Sequence, residues 1–588
     1  MAFEYDMAGR GDSSRYEYLY RCMRADIESG EAAPGQRLPS KRVLAKREGV
    51  SLVTVEKAYA QLEAEGYVQA RERSGYFVAL RQPVRVPAAD VRTARISRRQ
   101  EQDDAVPVPS GASAAPVSTP ASATGASATG ASAAVGEDSA RPSAQPLQEF
   151  HGGSGLIADF SWPAYNPGVA ATLWSKALRD TLAHEGDREL YAPQPSRGSL
   201  RLRRAIAAHL ASFRGMDVDP GRIVIGAGAQ MLYGMVAQLI LHATGAGTGM
   251  GMPDAHIPAL GARLPSSMRL PADVSQPSDA SQPEDTPVVA VENPGYPRLA
   301  SIYSAYGFRI RHVPVDAEGI DMDGLDASGA SVVHIMPSHQ FPTGRVTSVT
   351  RRYELLGWLA GGAERYLVED DYDNEFRLAG RPVPSLASID VLGRVVYIGT
   401  FSKSLGSALR LAYMVLHPVL SRRYDDDLGF YSNTVSVVDQ ICLSRLLESG
   451  DYERHVNRFR TQRRTVRDLF LDVLADTPAG GMCHVEEADS GLHFVLAVDA
   501  PCGEGRIARL ALRHGVRLAP MSGYVQASAA ARPPADRRAA RIEDMPLPGY
   551  GDSRPRFVMQ YDGLTPQAAP QAARALAAAV LEANAARA

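Results

Sequence analysis

The sequence predicts an α/β protein in which a small helical N-terminal domain is joined by a long flexible linker to a larger domain with a mainly parallel sheet. In the larger domain, short β-branched runs of strand length alternate with helix-forming stretches, which is typical of such a sheet with helices on both faces. The stretch between the domains is rich in Ala, Ser, Pro and Gly and cannot bury enough apolar surface to fold. We assign residues 14–80, 81–150 and 151–588 to these three parts, with a surface insertion at about 244–287.

The composition is that of a soluble globular protein, because 588 residues with 45% hydrophobic and 22% charged side chains can form several cores. The formal net charge of −3 gives no overall attraction to nucleic acid, so any DNA affinity must come from a local basic surface. The four cysteines lack metal-ligand spacing, and we expect no metal site. There is neither a signal-peptide pattern nor a run of about 18 apolar residues for a membrane span. We therefore expect a cytoplasmic protein without disulfides.

Residues 14–80 carry the pattern of three helices followed by a β-hairpin. Apolar side chains recur at helical spacing from Tyr16 to Ile27, and Ser40 and Ser51 stand where they can cap two further helices. A hairpin turn is predicted at 74–75. The outer face of the third helix is expected to present Ser51, Thr54, Lys57 and Gln61. This order predicts a winged helix-turn-helix for the DNA major groove; a helical protein-interaction domain with a solvated face is the alternative.

The same segment resembles the GntR family of transcriptional regulators, which favours DNA binding over the alternative. The resemblance rests on these stretches: Leu38 to Ala45, Gly49-Val50-Ser51, Thr54-Val55, Ala58-Tyr59, Glu65-Gly66 and Ser74-Gly75. The predicted DNA-binding residues are Ser40, Arg42, Ser51, Thr54, Lys57 and Gly75. Leu52 departs from the family, which usually has an arginine there. A leucine can contact a thymine methyl group but cannot read guanine with a fork of donors.

In the larger domain, an apolar run beginning at Val395 ends in a small, hydroxyl-rich turn that carries Lys403. Lysine is scarce in this chain, while arginine is frequent. Unlike an arginine, a desolvated lysine amine can lose its proton and react with an aldehyde. The neighbouring donors suited to a phosphate are Thr400, Ser402 and Arg410. The stretch therefore predicts a Schiff-base lysine beside a phosphate site; a strand-end lysine that faces water is the alternative.

An acidic cluster, Glu369 to Asp373, follows a second apolar strand pattern. A carboxylate at a strand end can pair with a protonated pyridine nitrogen, and Tyr372 can donate a hydrogen bond to a ring oxygen. Solvated turns and metal ligands are commoner roles for such clusters, but no histidine stands beside this one in the sequence. Together with Lys403, the cluster favours pyridoxal phosphate (PLP) as a cofactor.

Two stretches, Glu369 to Phe376 and Gly399 to Gly406, resemble signatures of the MocR-type branch of the GntR regulators. In that branch a fold-type I PLP-dependent, aminotransferase-like domain follows the winged helix. The resemblance implies that Lys403 binds PLP covalently, that Asp370 pairs with the pyridine nitrogen and that Tyr372 faces the ring oxygen. The residues implied to hold the phosphate are Thr400, Ser402 and Arg410.

Three further segments complete the expected cofactor site. A strand from Ile223 is followed by a turn and a helix whose first backbone N–H groups can bind an anion. The residues concerned are Gly228, Ala229 and Gln230. By resemblance, Tyr296 stacks on the pyridine ring, and Tyr191 contacts the phosphate of a neighbouring subunit. The site is therefore expected to need a homodimer.

Recognition of a ligand carboxylate is expected from Arg298, whose planar guanidinium suits that group, although a surface arginine is nearly as good an explanation. The family also uses a C-terminal arginine for this purpose, and Arg554 and Arg556 are both candidates. Working aminotransferases typically place an asparagine where Phe341 stands. Its absence argues for weak catalysis.

These features predict a PLP-dependent, DNA-binding transcriptional regulator that senses PLP or an amino compound through Lys403. Its expected partners are a double-stranded DNA operator, the small effector and a second copy of the chain, without a membrane. A catalytically active PLP-dependent aminotransferase (transaminase) that carries a DNA-binding domain is the alternative.

Overall fold

The computed structural model describes residues 14–28, 31–33, 35–64, 67–71, 75–78, 155–161, 168–243, 286–362, 364–377, 384–489, 491–526 and 552–585, together with Tyr5, Met7 and Tyr550. The predicted linker at 81–150 and nearly all of the predicted insertion at 244–287 lie outside these residues.

The N-terminal domain contains helices α1 (Arg15–Glu28), α2 (Lys41–Arg47) and α3 (Leu52–Ala64), followed by an antiparallel hairpin of β1 (Val68–Arg71) and β2 (Gly75–Val78). The winged helix-turn-helix prediction is thereby confirmed. Ser40 caps α2 by accepting a hydrogen bond from the backbone N–H of Val43. Gln61 is only 5% exposed, so its expected place on the outer face of α3 is wrong. It lies three residues after the buried Ala58 and therefore shares the inward side of the helix.

The larger domain is built on a seven-stranded sheet in the order β4-β10-β9-β8-β7-β5-β6. Its strands are β4 (Ile223–Ala227), β5 (Val288–Asn293), β6 (Arg309–Pro314), β7 (Val332–Ile335), β8 (Tyr366–Asp371), β9 (Val395–Thr400) and β10 (Leu411–Val415). Strand β10 pairs antiparallel with both neighbours, and the pairs from β9 to β6 are parallel. The prediction of a mainly parallel sheet is confirmed.

Helices cover both faces of this sheet. They are α4 (Gly168–His184), α5 (Asp187–Tyr191), α6 (Leu200–Arg214), α7 (Ala229–Ala243), α8 (Pro297–Ala305), α9 (Met322–Ala327), α10 (Val349–Ala360), α11 (Leu386–Ile389), α12 (Ser402–Leu405), α13 (Pro418–Asp427) and α14 (Val437–Glu448). Alternate strand residues enter separate cores: Val396 and Ile398 pack with α7, α8 and α13, whereas Tyr397 packs with α6 and α14. Burial on both faces explains why these strands read as continuous apolar runs.

A smaller C-terminal part follows the long helix α15 (Asp451–Ala475). Strands β11 (Cys483–Glu486), β12 (His493–Val498), β14 (Ala519–Pro520) and β15 (Arg556–Gln560) form an antiparallel sheet, and β13 (Val516–Arg517) pairs with the earlier β3 (Ala158–Asp159). Helices α16 (Glu504–Arg513) and α17 (Ala569–Ala585) share one apolar core with α15 and this sheet. None of the helices that the structure describes is both long and apolar enough to cross a lipid bilayer.

The winged helix contacts the larger domain through an apolar cluster. Val349, at the start of α10, is 2% exposed and belongs to the same buried cluster as the winged-helix core. Val346 and Tyr353 pack against this cluster from the larger domain, and Val50 does so from the winged helix. The contact therefore begins a few residues after Phe341.

Candidate functional site

Lys403 lies where strand β9 leaves the sheet. Every residue of β9 is buried, and the chain turns at Phe401 into the short helix α12, which carries the lysine. Its side chain is 21% exposed, and its Nζ lies 3.3 Å from Oδ2 of Asp562, a largely buried carboxylate. Lys403 is therefore a partly buried, paired amine at the sheet edge where ligands of such folds bind.

Asp370 lies on the neighbouring strand, opposite Ile398 of β9. It is 2% exposed, and its Oδ2 accepts a hydrogen bond from the hydroxyl of Tyr233 at 2.5 Å. Burial and the charge of Asp370 raise the pKa of Tyr233 well above its usual value, which keeps this hydroxyl a donor. The other oxygen, Oδ1, is buried and has no hydrogen-bond partner within the described part of the chain. Asp370 thus offers one acceptor to a donor from outside the protein.

The acids on either side of Asp370 have partners in the protein. Oxygens of Glu369 accept hydrogen bonds from the backbone N–H groups of Leu386 and Ala387, each at 2.9 Å. Asp371 forms an ion pair with Arg214 and accepts a hydrogen bond from the hydroxyl of Tyr397 at 2.7 Å. The acidic segment is therefore a buried strand end rather than a solvated turn.

The residues predicted to hold a phosphate converge at one edge of the sheet. Leu411 of β10 lies opposite Ala227 of β4, and the next residue of β10 lies opposite Thr400 of β9. The Oγ1 of Thr400 lies 2.9 Å from Oγ of Ser402 and accepts a hydrogen bond from the backbone N–H of Ser402. Helix α7 begins at Ala229, two residues after the end of β4, which places the first backbone N–H groups of the helix, including that of Gln230, at the same edge.

Gly228 and Arg410 lie side by side at the predicted phosphate site, which we call the anion cradle. Gly228 has a positive φ of 87°, and a Cβ atom there would lie 2.2 Å from Nη2 of Arg410. Arg410 is exposed, has a φ of 50°, and donates to the carbonyl of Ala227 at 3.4 Å. The absence of a side chain at position 228 therefore makes room for the guanidinium.

Aromatic side chains surround Phe341, next to the predicted site. Its ring makes edge-to-face contacts with Tyr296, Tyr372, His493 and Tyr524, with ring centroids 5.2–6.4 Å apart. The hydroxyl of Tyr296 accepts a hydrogen bond from Nε2 of Gln230 at 2.9 Å, which connects this cluster to the start of α7. Burial raises the pKa of Tyr372 well above its usual value, so its hydroxyl stays protonated.

Several residues in and around the site were not predicted. Tyr233 and Asp562 are far in sequence from Asp370 and Lys403, which they contact. His339 lies 2.8 Å from Asp373, although no histidine stands near this acidic segment in the sequence. The signal that sequence reasoning could have used is the polar run around His339, which directly follows β7 at the edge of the sheet where β8 ends.

Tyr191 and the candidates for binding a ligand carboxylate do not lie with the other predicted residues at the sheet edge. Tyr191 is 77% exposed at the end of α5, and Arg298 is exposed in the first turn of α8. Arg554 forms an ion pair with Asp499. Arg556 is buried between Glu486 and Asp552. Each C-terminal arginine therefore already has a carboxylate partner.

The predicted DNA-binding residues lie on the surface of the winged helix. Those that are exposed are Ser40, Arg42, Ser51, Lys57 and Gly75, while Thr54 is half-buried. The hydroxyl of Ser51 accepts a hydrogen bond from the backbone N–H of Thr54, which fixes the start of α3. Leu52 and Val53 are also exposed there. This end of α3 can offer both apolar and polar contacts to base edges.

Comparisons with known proteins agree with both parts of the fold. Residues 15–78 match the family of bacterial regulatory proteins named gntR. The chain is 30% identical to the uncharacterised HTH-type transcriptional regulator YdeL of Bacillus subtilis, over 87% of this chain and 90% of YdeL. It is 25% identical to the probable rhizopine catabolism regulatory protein MocR of Rhizobium meliloti, over 87% of each chain. Among solved structures, kynurenine aminotransferase of Pyrococcus horikoshii is similar, with a TM-score of 0.54 and 20% identity over 73% of this chain and 92% of that chain.

Proposed function

Because the chain belongs to the MocR-type branch of the GntR family of transcriptional regulators, we propose that its aminotransferase-like domain binds PLP covalently through Lys403 and senses PLP or an amino compound. The winged helix makes it a DNA-binding regulator. Binding of the ligand to the larger domain would then change the relative position of the two winged helices of a dimer, and with it their fit to paired operator half-sites. Such coupling requires that the ligand binds two conformations of the protein with different affinities.

The observation that carries the proposal is the buried Oδ1 of Asp370, which has no hydrogen-bond partner among the described residues and lies on the strand next to the one that leads to Lys403. A protonated ring nitrogen would supply the missing donor, and Tyr233 holds the carboxylate from its other side. A buried carboxylate without a partner is costly, so a site of this kind is best explained by a cationic ligand group.

The remaining residues fit the other groups of the same cofactor. The residues that would hold the phosphate are Gly228, Ala229, Gln230, Thr400, Ser402 and Arg410, with Tyr191 from a second subunit. Tyr296 would pack on the ring, and Tyr372 would face its oxygen. When bound, PLP supplies an aldehyde that captures amines and a ring that accepts electrons. Lys403 would provide the attaching amine, and Asp562 would pair with that amine whenever it is free.

The surroundings of Phe341 support sensing over efficient transamination. Phe341 occupies the place of an asparagine of working aminotransferases, and its contacts are with aromatic rings. A phenyl ring cannot donate a hydrogen bond to the cofactor oxygen, which leaves that role to Tyr372. Arg298 remains the proposed contact for an effector carboxylate.

The test combines chemical trapping with DNA binding. We would reduce the purified full-length protein with borohydride in the presence of PLP and map the modified peptide; we expect the label on Lys403 and none in Lys403→Ala. In parallel, we would footprint the DNA upstream of its gene with and without candidate amino compounds. A label elsewhere would refute the attachment site. Steady-state transamination, with no effect of amino compounds on the footprint, would favour the enzyme alternative.

A further inference from the structure

A second cluster of polar side chains lies beside the proposed cofactor pocket. His339, Asp373 and His493 are each 3% exposed, and one potential ligand atom from each lies within 4.8 Å of the others. Within the described ranges, this is the one place where three side chains of metal-ligating type converge. His339 follows β7, Asp373 follows β8 and His493 begins β12. The cluster therefore draws on both the seven-stranded sheet and the C-terminal sheet.

A hydrogen bond to Asp373 orients the ring of His339. Nδ1 of His339 lies 2.8 Å from Oδ2 of Asp373, and since the carboxylate can only accept, this nitrogen carries the hydrogen. The Nε2 atoms of His339 and His493 are both buried and have no partner among the described residues. The cluster therefore contains two buried ring nitrogens that have no hydrogen-bond partner among the described residues.

The packing holds the two rings together. Their centroids lie 4.2 Å apart. The backbone of Gly491 packs against His339 and Asp373, because a Cβ atom there would lie 2.0 Å from Cε1 of His339 and 2.5 Å from Oδ2 of Asp373. The arrangement is thus built into the backbone and does not depend on a flexible side chain.

These features match the surroundings of histidine ligands in metal sites. Such a histidine binds the ion through one nitrogen and donates its other N–H to a carboxylate or a backbone carbonyl, which fixes the ring. Asp373 gives His339 support of the first type. A hydrogen-bond donor from a small molecule would satisfy one lone pair, whereas a metal ion satisfies both at once.

We propose that Nε2 of His339 and Nε2 of His493 bind a divalent transition metal ion of the zinc class, with Asp373 as the residue that positions His339. The remaining coordination positions are open to water or to donor atoms of a small ligand. The site borders the proposed cofactor pocket, since Nδ1 of His339 lies 3.2 Å from the hydroxyl of Tyr372, but it does not use the Lys403 amine, which pairs with Asp562.

The test measures Zn²⁺ binding to the full-length protein without PLP, by titration against a chromophoric chelator. We expect about one ion per chain, with affinity at least about tenfold lower in His339→Gln and in His493→Gln, and about 10- to 100-fold lower in Asp373→Asn. His312→Gln is the matched control, since His312 is also a largely buried histidine with an unpartnered Nδ1 within the described residues but lies outside the cluster.

Each variant would be compared with the wild type by circular dichroism and thermal unfolding, so that a loss of binding is read only from folded protein. Lys403→Ala removes a positive charge that acts on His493 and should bind the ion at least as tightly as the wild type, which separates this inference from the proposed function. The inference is overturned if the wild type binds no ion, or if Zn²⁺ binding is unchanged in both His339→Gln and His493→Gln.

Discussion

Replacement of Gly228 by alanine should weaken PLP binding by a predictable amount. The added Cβ would lie 2.2 Å from Nη2 and 2.5 Å from Cζ of Arg410, so the guanidinium must leave its place in the anion cradle. Hydrogen bonds to charged groups contribute about 1.5–3 kcal/mol. Losing those between Arg410 and the phosphate should lower PLP affinity about 10- to 100-fold.

The same substitution also strains the backbone, because Gly228 has a φ of 87°. An L-residue in this region costs roughly 1–2 kcal/mol, and we expect that loss in the free energy of unfolding. The strain is present with and without PLP and so cancels from the binding free energy. Affinity therefore reports the displacement of Arg410 alone.

Gly215→Ala is the matched control. Gly215 ends α6 with a φ of 64°, but a Cβ atom there would meet no atom within 4 Å. We expect a similar loss of stability and no change in PLP affinity. The assays are urea unfolding of the protein without PLP and absorption titration with PLP. Equal affinity in Gly228→Ala and the wild type would refute this description of the cradle, as would an equal loss in Gly215→Ala.

Three further outcomes are expected. Asp370→Asn removes the charge proposed to pair with the pyridine nitrogen and should lower PLP affinity by about 1.5–3 kcal/mol in the same titration; wild-type affinity would contradict the pairing. Burial raises the pKa of Glu292 to about 8, so its protonated form favours folding at low pH and this stabilisation is lost as pH rises from about 4.5 to 8. In Glu292→Gln, the free energy of unfolding measured in urea should therefore depend less on pH. The same slope of that free energy against pH as in the wild type would contradict the raised pKa of Glu292. Arg42→Ala should reduce the slope of log operator affinity against log salt by about 1, measured by fluorescence anisotropy, if Arg42 contacts a phosphate; an identical slope would exclude that contact.

The sequence predicted secondary structure best for strands that are buried on both faces, because burial there requires apolar residues at every position. Strands β5, β8 and β9 are buried along their whole length, and each reads as an apolar run that ends in the polar residues of the site. The chain order alone then places Asp370 and Lys403 at the same sheet edge, because parallel neighbours end on the same side. In this part of the fold, the strand pattern of the sequence therefore also predicts where the candidate site lies.

Contacts between distant segments left no comparable signal. Asp562 pairs with Lys403 across 159 positions, and Tyr233 donates to Asp370 across 137. These partners meet only because the C-terminal sheet and α7 pack against the rest of the domain. The spacing of apolar residues along the sequence does not predict that packing. The error at Gln61 has a related cause, since its neighbours Ala58 and Leu62 set the inward side of α3 more strongly than its own polarity.

The contact at Val349 has a consequence for how a signal would travel. Arg352 on α10 donates hydrogen bonds to the carbonyls of Pro337 and Thr347. These bonds hold both ends of the segment 337–347, which contains Phe341. If a bound ligand displaces Phe341, we expect this segment to pass the displacement on to Val346 and Val349, against which the winged helix packs. Substitutions at Val349 would then weaken the coupling between effector binding and operator binding.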